Sequence, residues 1–210
     1  GNGKFNRLHI LDLFAQISKE EILEADLAPA FGGAYERADS RGFVLHIGAS
    51  EAFKSVGEEE LKIIVAEVST RFNEVITLIG SDSEAEMAER IEAAASSQVL
   101  NLVGKTKVQD LFDIIGKAKV VIGADSVPMH IALLTATRCL NVSFGVVNFW
   151  ETGPKAKGSR ILYFSEQAKV LPSKVIAELD QMLNSDLGHK GSVGAVVESV
   201  GPLEPFRILG

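Results

Sequence analysis

Between residues 43 and 164, six short apolar runs alternate with stretches of helical periodicity. The apolar runs are rich in β-branched residues and lack polar alternation, which is typical of strands buried on both faces of a sheet. Successive strands joined through helices build a parallel sheet with right-handed crossovers and helices on both faces. The pattern therefore predicts an α/β, Rossmann-like domain. The six runs are FVLHI (43–47), EVITLI (74–79), QVLNLV (98–103), KVVIG (119–123), RCLNVSF (138–144) and RILYF (160–164).

Three amphipathic stretches lie between the first four runs. In the first of them, apolar residues recur at the spacing of one helix face, as in a helix that lies on a sheet. Ser83 and Glu86 form a capping-box pattern that predicts the start of the second helix, and Thr106 is predicted to cap the third. The stretches are EEELKIIVAEVSTRF (58–72), SEAEMAERIEAAASS (83–97) and KVQDLFDIIGKA (107–118), and the apolar face of the first comprises Leu61, Ile64, Val65 and Val68.

The sequence predicts three regions along the chain, a central domain and a segment on each side of it. Residues 1–42 carry a helical pattern followed by a Gly-rich linker, residues 43–185 form the Rossmann-like domain, and residues 186–210 are Gly-rich. Within the second region, SKVIAELDQMLN (173–184) predicts a last amphipathic helix. For residues 186–210 a strand, a tail and the start of another unit all remain open.

Charge and composition exclude several classes of protein. The formal net charge of −7 over 210 residues argues against an electrostatically driven nucleic-acid binder. Cys139 is the single cysteine, so an intrachain disulfide is excluded and a reducing compartment such as the cytoplasm is favoured. No apolar run approaches the roughly 18 residues that span a bilayer.

In open parallel sheets, ligands bind at the carboxyl ends of the strands. After the first run, HIGASEAFK (46–54) supplies Ser50 and Lys54, and a loop lysine beside helix N-termini is a counter-charge for a diphosphate. A surface lysine is the alternative. After the second run, GSDSEAE (80–86) supplies Gly80, Ser81 and Glu84, which could meet an anion or ribose hydroxyls. The alternative is a carboxylate that merely favours the helix dipole.

The segment KVVIGADSVPMHIALL (119–134) follows the fourth run with a dense set of polar residues. Asp125 or Ser126 is the predicted N-cap of a helix that carries Pro128 in its first turn. His130 faces either the core, satisfied by a carbonyl, or the phosphate and hydroxyl groups of a ligand.

Several catalytic motifs are missing from the sequence. No GxGxxG fingerprint, GxSxG elbow, HExxH or paired histidines occur, so a dehydrogenase, a serine hydrolase and a metal site are not predicted. We therefore expect no metal and no cofactor.

Four ordered segments resemble the heptosyltransferase family of glycosyltransferases. NLVGKTKVQDLFDIIGKAKVVIGADSVPMHIALLTAT is similar to the signature region of that family, and HIGASEAFK, LIGSDSEAEMAERI and NVSFGVVNFWETGP are similar to three further family segments. LHILDLFAQI resembles the helix that joins the two domains. Order and spacing together make the resemblance specific, although each segment alone is weak.

The resemblance implies the C-terminal, donor-binding half of a GT-B fold. It implies inverting transfer of a sugar from ADP-heptose or a related nucleotide sugar to the lipopolysaccharide core or another glycan, in the cytoplasm or peripherally at the inner membrane. Ser50 and Lys54 would lie near the diphosphate, and Gly80, Ser81 and Glu84 near the ribose. Asp125, Ser126 and His130 would lie near the sugar and phosphates.

Two departures from the family pattern shape these expectations. Val127 occupies a position where the family has Gly, so a degenerate, non-catalytic binding domain is the alternative, and a 2-epimerase of GT-B architecture is a third option. The acceptor domain that carries the general base has no counterpart in the 42 residues before the first strand. We therefore expect this fragment to be inactive alone.

Overall fold

The structure is a computed structural model that describes residues 15, 17–19, 41–49, 54–95, 98–144, 149–156, 158–164, 170–184 and 196–200. For residues 150, 151 and 196–200 it describes the backbone alone. The strands are β1 (Phe43–His46), β2 (Ile76–Ile79), β3 (Val99–Asn101), β4 (Val120–Gly123), β5 (Arg138–Phe144), β6 (Arg160–Phe164) and β7 (Val196–Val200). The helices are α1 (Glu58–Phe72), α2 (Ala85–Ala94), α3 (Val108–Gly116), α4 (Val127–Leu134), α5 (Phe149–Thr152) and α6 (Pro172–Asn184).

The strands form one seven-stranded sheet in the order β3-β2-β1-β4-β5-β6-β7. Every neighbouring pair is parallel, including Leu45 beside Leu78 and Leu45 beside Ile122. The chain moves outward from β1 to β3 and then returns to place β4 on the other side of β1. The order therefore reverses between β1 and β4, and a crevice opens at such a point outside the carboxyl ends of the strands.

Alternate residues of each strand pack into cores on opposite faces of the sheet. Phe43, Leu45 and Ile47 join a cluster covered by α1, α2 and α6, whereas Val44 joins a cluster covered by α3 and α4. All four apolar residues predicted for the inner face of α1 are buried. The predicted Rossmann-like parallel sheet with helices on both faces is thus confirmed.

Two predicted helix caps are wrong. The capping-box pair is Ser81 and Glu84, which begins a 3₁₀ turn over Asp82–Glu84 ahead of α2, so Ser83 does not start the helix. The N-cap of α3 is Lys107 rather than Thr106, and the Lys107 amide donates to the side chain of Asp110. In both cases the cap residue donates its amide hydrogen bond to the acidic side chain three positions later, and this bond fixes where the first turn begins.

The flanking regions are described only in part. Val196–Val200 pairs in parallel with β6 and becomes the edge strand β7, which is one of the outcomes left open for residues 186–210. Ala15, Ile17 and Ser18 are helical, and the rest of the predicted helical pattern at residues 4–30 lies outside the described residues. In the described part of the chain, no helix combines the length and apolar character that crossing a membrane requires.

Candidate functional site

A cleft of about 480 Å³ opens at the carboxyl edge of the sheet, where the strand order reverses. Loops after β1, β2 and β4 form its walls, and α5 contributes one residue. Three segments that are far apart in the sequence therefore meet because their strands are neighbours. The cleft is lined by His46, Gly48, Ala49, Lys54, Ser81, Glu84, Asp125, Ser126, Val127, Pro128, His130 and Thr152.

Glu84 is held on the β2 side of the cleft by a network of short bonds. Its Oε2 accepts from the amide and the hydroxyl of Ser81, each at 2.6 Å, and its Oε1 accepts from the Ser83 hydroxyl at 2.9 Å. Burial by itself would raise the pKa of Glu84, but these hydrogen bonds and the nearby His46 outweigh it, and the pKa is lowered. The carboxylate is therefore charged and fixed in direction before any ligand arrives.

Two glycines make room for this carboxylate. A Cβ built on Gly48 would lie 2.8 Å from Cδ of Glu84, and one built on Gly80 would lie 3.1 Å from its Oε2. Any larger residue at Gly48 would displace Glu84 or the backbone. Gly80 itself does not line the cleft, so its contribution is the space behind Glu84.

His46 and Ser126 join β1 to the start of α4 across the point of reversal. Nδ1 of His46 lies 3.0 Å from Oγ of Ser126, which also donates to the carbonyl of Ala124 at 3.0 Å. Ser126 is the N-cap residue of α4, as predicted, but its hydroxyl makes no capping bond to the helix. Burial lowers the pKa of His46 to about 4, partly offset by the charge of Glu84, so the imidazole is neutral at pH 7.

The side chain of Asp125 is oriented by a hydrogen bond from α5. The hydroxyl of Thr152, in the short helix α5, donates to Oδ2 of Asp125 at 3.0 Å. Asp125 lies in the turn between β4 and α4, so its carboxylate is held at the mouth of the cleft by a group from another element. A carboxylate positioned in this way is an acceptor for ligand hydroxyls.

His130 and Val127 are the exposed residues of the α4 wall. His130 is exposed and lines the cleft, so it is not a core histidine. Val127 is 56% exposed and begins α4 with helical backbone rather than a positive φ. A β-branched residue is therefore accommodated without backbone strain, and the cleft remains open beside it.

The structure brings together most of the residues that the sequence singled out. The predicted residues that line the cleft are Lys54, Ser81, Glu84, Asp125, Ser126 and His130. Ser50 lies outside the described residues. Sequence reasoning missed His46 and Thr152, which hold two of the predicted residues in place. His46 lies inside the apolar run FVLHI, and Thr152 lies in a helix of four residues that no periodicity reveals.

The cleft is lined by both charged and hydrogen-bonding side chains. It combines the ammonium of Lys54 with two oriented carboxylates and several hydroxyl or imidazole groups. Among the described residues, no group of three His, Cys, Asp or Glu side chains is placed to hold a metal ion. A cation on one wall and acceptors on the others suit a ligand with one charged and one hydroxyl-rich part.

Comparison with known proteins agrees with this architecture. The sequence profile described as glycosyltransferase family 9 (heptosyltransferase) matches residues 15–176. The chain therefore belongs to glycosyltransferase family 9. A search of curated proteins by sequence gives no significant match.

Solved structures of the same family share the fold at low sequence identity. The glycosyl transferase family 9 protein of Veillonella parvula superposes with a TM-score of 0.69 at 14% identity, over 85% of this chain and 61% of that one. The E. coli heptosyltransferase WaaC with ADP gives 0.67 at 17%, over 81% and 54%. E. coli ADP-heptose lps heptosyltransferase II gives 0.61 at 18%, over 78% and 53%. The chain thus spans between half and two thirds of the length of these structures.

Proposed function

We propose that this domain binds the nucleotide-sugar donor of a heptosyltransferase, ADP-heptose or a close relative. The observation that carries the proposal is the convergence of Lys54, Glu84 and Asp125 on one cleft at the point of strand-order reversal. These residues come from three separate loops, and the family resemblance of each loop implies a contact with the donor. The ADP bound to WaaC, which has the same fold, supports an adenine nucleotide.

The roles follow from charge and hydrogen-bonding capacity. Lys54 would neutralise the diphosphate, whose negative charge grows when the sugar leaves. Glu84, fixed and ionised, would accept hydrogen bonds from ribose hydroxyls, and Asp125 would accept them from the sugar. The two carboxylates repel phosphate oxygens, and this repulsion favours the diphosphate on the Lys54 side.

In the whole enzyme we propose inverting transfer to a lipopolysaccharide core or another glycan acceptor, in the cytoplasm, with peripheral attachment at the membrane. A base is needed to take the proton of the acceptor hydroxyl, and a second wall is needed to exclude water. We assign both to a second domain of the GT-B architecture. On this account the present chain binds donor but transfers no sugar alone.

Thermal unfolding with added ligand tests the proposal. Saturating ADP and ADP-heptose should each raise the Tm, because a ligand that binds only the folded state stabilises it. Lys54→Met should reduce the shift strongly. Lys174→Met, which removes an exposed lysine outside the cleft, is the matched control and should retain it. Absence of any shift with either ligand at millimolar concentration would refute the proposal.

A further inference from the structure

His46 lines the cleft at the centre of the sheet, although the segment HIGASEAFK, which it begins, assigns it no role. It is the last residue of β1, the strand that has β2 on one side and β4 on the other. Its imidazole contacts the hydroxyl of Ser126, and the charge of the Glu84 carboxylate acts on it. It also lines the cleft. A ligand at the point of strand reversal must therefore pass close to this ring.

The hydrogen bonds of Ser126 determine the tautomer of His46. A hydroxyl has one proton, and the carbonyl of Ala124 can only accept, so the bond between them uses that proton. The contact between Ser126 Oγ and His46 Nδ1 then requires a proton on Nδ1. His46 is thus the Nδ1–H tautomer, and it donates to Ser126.

The other ring nitrogen of His46 is consequently a bare acceptor. A neutral imidazole protonated at Nδ1 carries a lone pair on Nε2. Within the described part of the chain, Ser126 is the sole hydrogen-bond partner of this ring, so no described residue engages Nε2. Nε2 is also absent from the fully buried polar atoms that lack a partner, so it is accessible from the cleft that His46 lines.

We propose that Nε2 of His46 accepts a hydrogen bond from a hydroxyl of the bound nucleotide sugar, on the ribose or on the sugar. This inference rests on the proposed function and adds a specificity-determining residue to it. A lone pair repels phosphate oxygens and attracts hydroxyl protons, so the ring discriminates for the hydroxyl-rich parts of the donor. The bond to Ser126 holds the ring in the required orientation.

The tautomer can be tested without any ligand. Two-bond ¹⁵N–¹H correlation spectra of the full chain at pH 7 should show a neutral His46 with the proton on Nδ1. His46→Asn identifies the signal by its loss. In Ser126→Ala the acceptor for Nδ1–H is gone, and a mixture of tautomers should result. A wild-type spectrum with the proton on Nε2 would overturn the proposal.

Ligand binding tests the contact and identifies its source. His46→Asn retains an amide donor near the position of Nδ1 but has no counterpart of Nε2. Its affinity should fall about five-fold, the usual scale for one neutral hydrogen bond. If a ribose hydroxyl is the partner, calorimetry will show the loss with ADP but not with 2′,3′-dideoxy-ADP. If a sugar hydroxyl is the partner, the loss will be confined to ADP-heptose.

Two results would overturn the inference while the proposed function survives. One is equal loss with ADP, dideoxy-ADP and ADP-heptose, which would indicate a purely structural role for His46. The other is unchanged affinity for all three ligands in a folded His46→Asn variant. If the wild-type chain binds none of the three, the proposed function fails and this contact fails with it.

Discussion

The backbone of Gly48 lies so close to Glu84 that a single methyl group on Gly48 would come within 2.8 Å of Cδ of the carboxylate. The two residues belong to the loops after β1 and β2, so their contact couples two walls of the cleft. Glu84 keeps its direction through three hydrogen bonds from Ser81 and Ser83, and the glycine leaves room for it.

Gly48→Ala should therefore weaken ADP binding. The methyl group forces the carboxylate away from Ser81, and loss of a fixed charged acceptor should lower affinity about ten-fold. Calorimetric titration of ADP measures the effect. Gly57→Ala is the matched control, because a Cβ there also approaches a carboxylate, that of Glu60 at 2.2 Å, but outside the cleft. Equal affinities in the two variants would contradict the assigned role of Glu84.

Thr152→Val should impair recognition of the sugar more than that of the nucleotide. The substitution removes the hydroxyl that orients Asp125 and preserves the shape of the side chain. We expect the Kd for ADP-heptose to rise about five-fold and the Kd for ADP to change little.

A second threonine provides the control for that experiment. Thr137 is 2% exposed and donates to the carbonyl of Ile115 at 3.0 Å, away from the cleft. Thr137→Val should lower the free energy of unfolding by about 1–3 kcal/mol, because two buried hydrogen bonds are lost, one to the carbonyl of Ile115 and one with the hydroxyl of Thr135. Its Kd for ADP-heptose should match that of the wild type. If both variants lose sugar affinity in parallel with stability, Asp125 is not the sugar contact.

Stability should fall between pH 6.5 and pH 4 because of His46. The pKa of this imidazole is about 4 in the folded state, below its ordinary value of 6.5, so the unfolded chain binds the proton more readily. The stability it contributes is complete above pH 6.5 and declines as pH falls toward 4, by up to about 3 kcal/mol. Glu84, whose pKa is also lowered, adds its loss only below its ordinary value of 4.5.

Urea unfolding at pH 7.5, 6.0 and 5.0 measures this dependence. The wild type should lose stability across the series, and His46→Gln should show a flatter profile because the titrating group is gone. Parallel profiles for the two proteins would show that His46 is not the group responsible.

Val127→Ala should leave ADP binding unchanged and strengthen ADP-heptose binding several-fold. Val127 is exposed on the cleft wall beside Asp125, so its side chain occupies space on the sugar side. Alanine removes that bulk without the cost of about 1 kcal/mol that glycine brings to a helix. The structure gives no support to a closed, degenerate pocket. Titration would favour that alternative only if ADP bound the variant and not the wild type.

The strands of the sheet could be predicted because burial on both faces requires a short apolar run in the local sequence. The run RCLNVSF (138–144) matches β5 residue by residue, since a strand covered by helices is mostly apolar, and even its polar Asn141 and Ser143 are buried. The order of the strands in the sheet is not encoded in any local sequence pattern. That β1 lies between β2 and β4 follows from how the whole chain packs, and the identity of the cleft walls follows from that order.

The site residues could be predicted only where a loop carries a recognisable local sequence pattern. Asp125 and Ser126 stand out because polar residues follow an apolar strand at a helix start. His46 does not, because it lies within a run of apolar residues and its partner Ser126 is 80 residues away. Ser81 and Ser83 both have an acidic residue three positions later, so the sequence pattern cannot tell which serine begins the turn. That choice depends on the backbone conformation. A long-range partner decides the first case, and the local backbone turn decides the second.

The most direct test of the account is to locate ADP on the chain by NMR. Amide chemical shifts recorded during titration should change at 46–49 and 54, at 81–84 and at 125–130, in the three loops that line the cleft. Amides at the opposite edge of the sheet, around Glu74 and Lys119, should remain unaffected. Saturable shifts confined to the three loops are the predicted result. Saturable shifts elsewhere, or no shifts at millimolar ADP, would contradict the claim that this cleft holds the donor nucleotide.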